Sequence, residues 1–303
     1  MKTRVSIIVF IVKGLLMNKT SRTFQLYRFQ ILPTIVEEQL DLFFPQKQIL
    51  SLEELKSRKN EFFADVIRNL NEFHHPRAEL THQLHEVNGY FVLKIGANRS
   101  LTRFTKDFEK EEIDNWPSVY VVINNDPNSQ MIAIELEEEA FYRTSTVSNI
   151  LISNINDKLR NYRLTLEVLP TFVKNEFWNI VKSHTNRITK TQFYMVAPNL
   201  ANISKGLELD LGEIKSRTNS LHTNVSLQAP NKESLTLSES DSFTNSLVNY
   251  ASEGGGTVHL KIKGLRKLIK TEDSIKSTEV DEIYFTGENI PEDLVDQLRK
   301  MLQ

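Results

Sequence analysis

Four of the seven histidines, His74, His75, His82 and His85, fall within the stretch FHHPRAELTHQLHEVNGYFVLKI from Phe73 to Ile95. On a helix, His82 and His85 would share a face with Glu79 and offer three metal ligands. The dipeptide Asn88-Gly89 points elsewhere, because it sits between two runs of strand character and favours a two-residue type I′ turn. Thr81 to Val87 is then expected to pair with Tyr90 to Ile95. A strand alternates its side chains with period two, so His82 and His85 would face opposite sides and hold no common metal. No metal and no cofactor is expected.

The remaining reactive groups are treated the same way. Arg77 and His82 fit the Arg-x4-His spacing of metal-independent ribonucleases of the HEPN kind, in which both residues share a helix of an all-helical bundle. Here His82 falls in an expected strand, so a ribonuclease using Arg77 and His82 is the alternative function. Asp126, Glu135 and Glu137 on adjoining strands are similar to a nuclease carboxylate set. No lysine follows Glu135 at the required offset, and they are read as a solvated acidic face. The chain has no Gly-x-Ser-x-Gly elbow, dinucleotide fingerprint or His-Glu-x-x-His motif. Gly254-Gly255-Gly256 lacks the Lys-Ser/Thr continuation of a phosphate loop and is read as a flexible turn. With no cysteine, thiol catalysis, disulfides and thiolate metal sites are excluded. A non-enzymatic role is expected.

Thirty-seven basic against 39 acidic residues give a formal charge of −2, so any polyanion must be held by a local patch. The densest cationic cluster is Lys261, Lys263, Arg266, Lys267 and Lys270, which is the expected DNA contact. Arg99, Arg103 and Lys106 are secondary candidates. A protein-interaction scaffold using the same basic segment is a further alternative.

The elements that must position these groups are read from periodicity. Arg22 to Leu32 is an aromatic-rich strand closed by Pro33. Ser51 and Glu54 form a capping box before a helix, broken near Lys59 and Asn60, that carries Leu55, Phe62, Phe63, Val66 and Ile67. Ser118 to Glu137 gives a strand pair around Asn124-Asn125-Asp126-Pro127-Asn128. A helix follows from Thr144 to Arg160, capped by Thr144, Ser145 or Thr146. Then come a strand Arg163 to Pro170, a short helix with Phe172, Phe177 and Trp178, and a strand Arg187 to Asn199. The Ser/Thr/Asn-rich region from Lys215 to Gly256 is expected to hold one strand and one short helix. Strands from Thr257 and from Val280 and a helix from Pro291 complete the chain. The result is an α+β protein with mixed or largely antiparallel sheets and two intimately associated lobes, 22–170 and 171–303. Residues 1–21 are an extension or a mis-assigned start, with Met17 as the alternative initiator.

The order of the hairpin HQLHEVNGYFVLKI, GANRSLTRF, WPSVYVVI, a capped helix, LTLEVLP and TKTQFYMV resembles the RexA-like phage-exclusion and abortive-infection proteins of prophages and bacteria. The likeness spans Thr81 to Val196. It implies a cytoplasmic homodimer that binds double-stranded DNA with little sequence preference. The resemblance further implies antiviral defence by signalling to a membrane effector encoded nearby; it supplies none of the DNA-contacting residues named above.

Overall fold

A computed structural model describes residues 21–34, 51–198 and 201–303. Strand β1 (Ser21–Pro33) is buried almost continuously from Phe24 to Leu32, as expected of a central strand covered on both faces. Helix α1 (Leu52–Arg68) begins at the capping box, in which the Glu54 N–H donates to Ser51 Oγ at 3.2 Å and the Ser51 N–H donates to Glu54 at 2.8 Å. The expected break does not occur. Asn60 is buried within an unbroken helix, and its side chain donates to the Asn125 carbonyl at 3.0 Å.

The hairpin β2 (Leu80–Val87) and β3 (Tyr90–Ala97) turns at Asn88 and Gly89 with φ of 50° and 82°, as a type I′ turn requires. A small separate hairpin follows, β4 (Leu101–Phe104) and β5 (Lys110–Ile113), and then β6 (Ser118–Asn124) and β7 (Met131–Glu135). Helix α2 (Thr144–Leu159) starts from Arg143 without a side-chain cap. Thr144, an expected cap, is instead buried and shares a 2.7 Å hydrogen bond with the Tyr27 hydroxyl. Strand β8 (Leu164–Pro170) returns beside β1.

The chain continues through α3 (Lys174–Ser183), β9 (Ile188–Val196), the one-turn α4 (Ala201–Ser204), α5 (Leu211–Thr218), β10 (His222–Gln228) and α6 (Ser242–Tyr250). Then follow β11 (Gly256–Ile262), β12 (Ile269–Lys270), β13 (Ser277–Asp281) and α7 (Ile290–Leu298). The strand expected from Val280 therefore lies earlier, and Glu282–Phe285 form a 3-10 turn. That turn swings Phe285 under the Arg22 guanidinium, 3.9 Å from the ring centre.

Among the described residues all strand pairings are antiparallel, and the protein is α+β. The first sheet runs β13-β1-β7-β6-β3-β2, with β8 also on β1; the second runs β10-β9-β11-β12. On one face of the first sheet, α1 and α2 bury Phe29, Phe63, Ile95, Val121 and Leu151. On the other, Leu294, Val295, Leu298 and Leu302 of the carboxy-terminal helical region cover Phe24, Val92 and Val122. The first sheet thus draws on residues from both sides of Pro170. The second sheet buries Phe193, Met195, Val258 and Leu260 against Trp178 and Leu247.

The two sheets are joined at β1. The Thr171 N–H donates to the Leu26 carbonyl at 3.0 Å, and the Phe172 N–H to the Ser252 carbonyl at 3.1 Å. The glycines expected in a flexible turn lie here instead. A π-helical turn, Ala251–Gly255, buries Gly254 and Gly255 at the junction, because chain segments approach too closely for a side chain. The readings of residues 1–20, including the choice of initiator, lie outside the described residues.

Candidate nucleic-acid interface

The second sheet has one apolar face against its helices, so period two sends the intervening side chains to the other face. On β9 these are Lys190, Gln192 and Tyr194; on β11 they are Thr257, His259 and Lys261. Register aligns them in rows. Lys190 stands opposite Lys261, and His259 lies between Gln192 and Lys270. Tyr194 lies between Asn224 on β10 and Thr257 on β11.

The basic segment forms the end of this surface. After β11 the chain turns at Gly264, whose φ of 87° suits glycine. The turn is fastened by the Leu265 N–H to the Ile262 carbonyl at 3.1 Å and by Arg187 Nη2 to the Lys263 carbonyl at 3.0 Å. Lys263, Arg266 and Lys267 are exposed in it. Lys261 Nζ reaches back to the Arg266 carbonyl at 3.4 Å, and Lys270 Nζ lies 4.0 Å from Glu272. All five cations therefore belong to one hairpin edge, with Lys190 beside them.

Carboxylates lie further along the face, beginning with the same Glu272. His259 Nε2 is 3.4 Å from Glu272, and His222 Nε2 is 3.6 Å from Glu167. Burial pushes the Glu167 carboxyl up from its ordinary value, against the pull of His222. Between these pairs, a recess of about 210 Å³ opens beside Tyr194 and reaches Leu169 of β8. The rings of Tyr194 and His259 lie 4.7 Å apart at 54°.

The secondary basic candidates sit elsewhere. Arg99 donates twice to the Ala140 carbonyl, at 3.0 and 2.7 Å. Arg103 pairs with Glu111 at 2.8 Å on the β4–β5 hairpin, and Lys106 is exposed at its turn. Arg77 lies in a loop, whereas His82 lies in β2 with Nε2 3.0 Å from the Leu70 carbonyl and its edge against Phe73. They do not share a helix. His82 and His85 take opposite faces of β2, as the turn implied.

The solvated reading of the acidic set fails at Glu135. Its side chain is fully buried and accepts from the Tyr120 N–H at 2.8 Å and from Arg22 Nη1 at 3.1 Å. Asp126 accepts the Asn128 N–H at 2.7 Å and shapes a turn. Sequence reasoning missed Lys190, Gln192, Tyr194 and Asn224. On β9 the alternation of Lys190, Gln192 and Tyr194 with Thr191, Phe193 and Met195 was visible, but which face stays open depends on packing of the whole sheet against α3 and α6.

No protein-family model, curated protein or solved structure matches the chain. Among the described residues, no helix is long and apolar enough to cross a membrane.

Proposed function

We propose that this protein binds DNA without sequence readout through the β11–β12 hairpin and acts in anti-phage defence of the exclusion or abortive-infection type. The observation that carries the binding reading is the turn that exposes Lys263, Arg266 and Lys267 together, beside Lys190, Lys261 and Lys270. Such cations neutralise phosphates and release counterions, giving affinity that does not depend on base identity. The defence role, the cytoplasmic setting, the homodimer and the membrane effector rest on the RexA-like resemblance alone.

A protein-interaction scaffold is supported by a different feature. The β4–β5 hairpin exposes Phe104 at 71% and Phe108 at 90%, a surface suited to a protein partner. The two readings separate in one experiment, a fluorescence-anisotropy titration of labelled duplex DNA at several salt concentrations. Binding that falls steeply with salt is expected. The variant Lys263→Glu/Arg266→Glu/Lys267→Glu should bind far more weakly, with a log–log salt slope smaller by roughly three. Absence of binding at low salt would remove DNA and leave the scaffold.

A further inference from the structure

The hairpin accounts for phosphates, but it leaves the rest of the open face unexplained. A cross-strand aromatic pair often does no more than stabilise its sheet. Two observations on this face go beyond that. First, Tyr194 is 37% exposed in the middle strands of a sheet whose outer face no helix of the second core covers. Second, a recess of about 210 Å³ lies beside the ring, with Asn224 and Thr257, the cross-strand neighbours of Tyr194, in its wall. A recess of that size suits a single planar ring, and the amide and hydroxyl groups offer both donors and acceptors.

The order of groups along β9 adds direction. Lys190, Gln192 and Tyr194 project from the same face, so the cationic edge and the aromatic ring are separated by four residues, roughly 13 Å at strand rise. Cations gather at the hairpin end, Glu272 lies between them and the ring, 4.0 Å from Lys270 and 3.4 Å from His259, and Glu167 stands at the Tyr194 end beside His222. Phosphates are thereby favoured at the hairpin and disfavoured beside the ring, where an uncharged base would sit. A base in a duplex cannot reach such a ring, since its faces are already stacked.

We propose that the open face of the second sheet is a stacking platform for an unpaired base, so that the site takes single-stranded nucleic acid, held at the base by Tyr194, whose ring the largely buried His259 backs, and at the phosphates by Lys190, Lys261 and the hairpin. This rests on the nucleic-acid reading above and adds the strand state to it. Aromatic stacking tolerates any base, in keeping with binding that lacks sequence readout.

The test is anisotropy titration with labelled oligothymidylate, oligouridylate and a mixed-sequence duplex of the same length. The proteins are the full chain, Tyr194→Leu, Tyr194→Phe and the triple hairpin variant, with melting curves confirming that each is folded. The full chain should prefer an unpaired strand. Tyr194→Leu should weaken single-strand binding by roughly tenfold and leave duplex binding unchanged, and Tyr194→Phe should bind as the full chain does. Duplex preference, or a Tyr194→Leu variant that binds single strands normally, would overturn the platform while leaving the hairpin reading intact. A triple variant with undiminished binding would overturn the hairpin reading alone, and no binding to any probe would overturn both.

Discussion

Gly254 lies directly against Arg28, so closely that a Cβ on the glycine would fall inside van der Waals contact with the arginine Cβ. The glycine also has φ of 82°, a conformation costly for any other residue. Arg28 uses the contact to pass its side chain through the junction. Its Nε donates to the Glu253 carbonyl and its Nη1 to the Ser129 carbonyl, both at 2.5 Å. Nη2 lies 3.6 Å from the Glu253 carboxylate, and burial lowers the Arg28 pKa against the pull of Glu253. One arginine therefore ties β1, the loop before β7 and the π-helical turn.

Gly254→Ala is expected to destabilise the protein by about 2–4 kcal/mol, combining backbone strain with overlap at a site that cannot relax. Urea denaturation would measure it. A loss below about 1 kcal/mol would mean that the junction yields easily.

Lys59 should give the protein a distinctive alkaline response. Burial pushes its ammonium down from 10.5 to about 8, with Lys215 and Lys56 adding repulsion. Below about pH 8 the lysine is charged in both folded and unfolded chains, and the folded state bears the full desolvation cost. Between about 8 and 10.5 the unfolded chain binds more protons than the folded one, so this contribution to stability rises with pH. Lys59→Met should therefore exceed the parent in stability most clearly near neutral pH, and the gap should shrink towards pH 10.5. Paired denaturation curves across that range test the prediction, and a constant gap would contradict it.

Glu135 is expected to matter for folding and not for chemistry. It is the buried acceptor for Tyr120 and Arg22, so Glu135→Gln should cost about 1–3 kcal/mol by weakening the charge-assisted bond to Arg22, which keeps Glu282 at 2.7 and 2.9 Å. Nucleic-acid affinity per folded molecule should be unchanged. A variant that folds normally but loses nucleic-acid binding or processing would place Glu135 in a functional site.

The features legible in the sequence are those whose causes are local. The Ser51–Glu54 box and the Asn88-Gly89 turn each carry their instruction within four residues, and both form as read. Long-range effects account for the misreadings. Lys59 and Asn60 suggest a break by composition, but Asn125, 65 residues away, holds Asn60 within the helix. The glycine run looked flexible because nothing near it in sequence reveals that Arg28 and Tyr250 press against it. At the candidate interface, the basic run stood out as composition. The face behind it did not, since it requires β9, β10 and β11 to meet in register.

The thirteen residues of β1 receive partners from widely separated parts of the chain, namely β7, β8 and finally β13 at Ser277–Asp281. A ribosome makes β1 long before β13. Until β13 and the helix after it emerge, the Ser21–Gln25 edge lacks its β13 partner, and the Phe24 face has no cover from Leu294 and Leu298. Premature termination before Ser277 would thus release a chain with an open strand edge and a bare apolar face, a species suited to aggregation or chaperone capture.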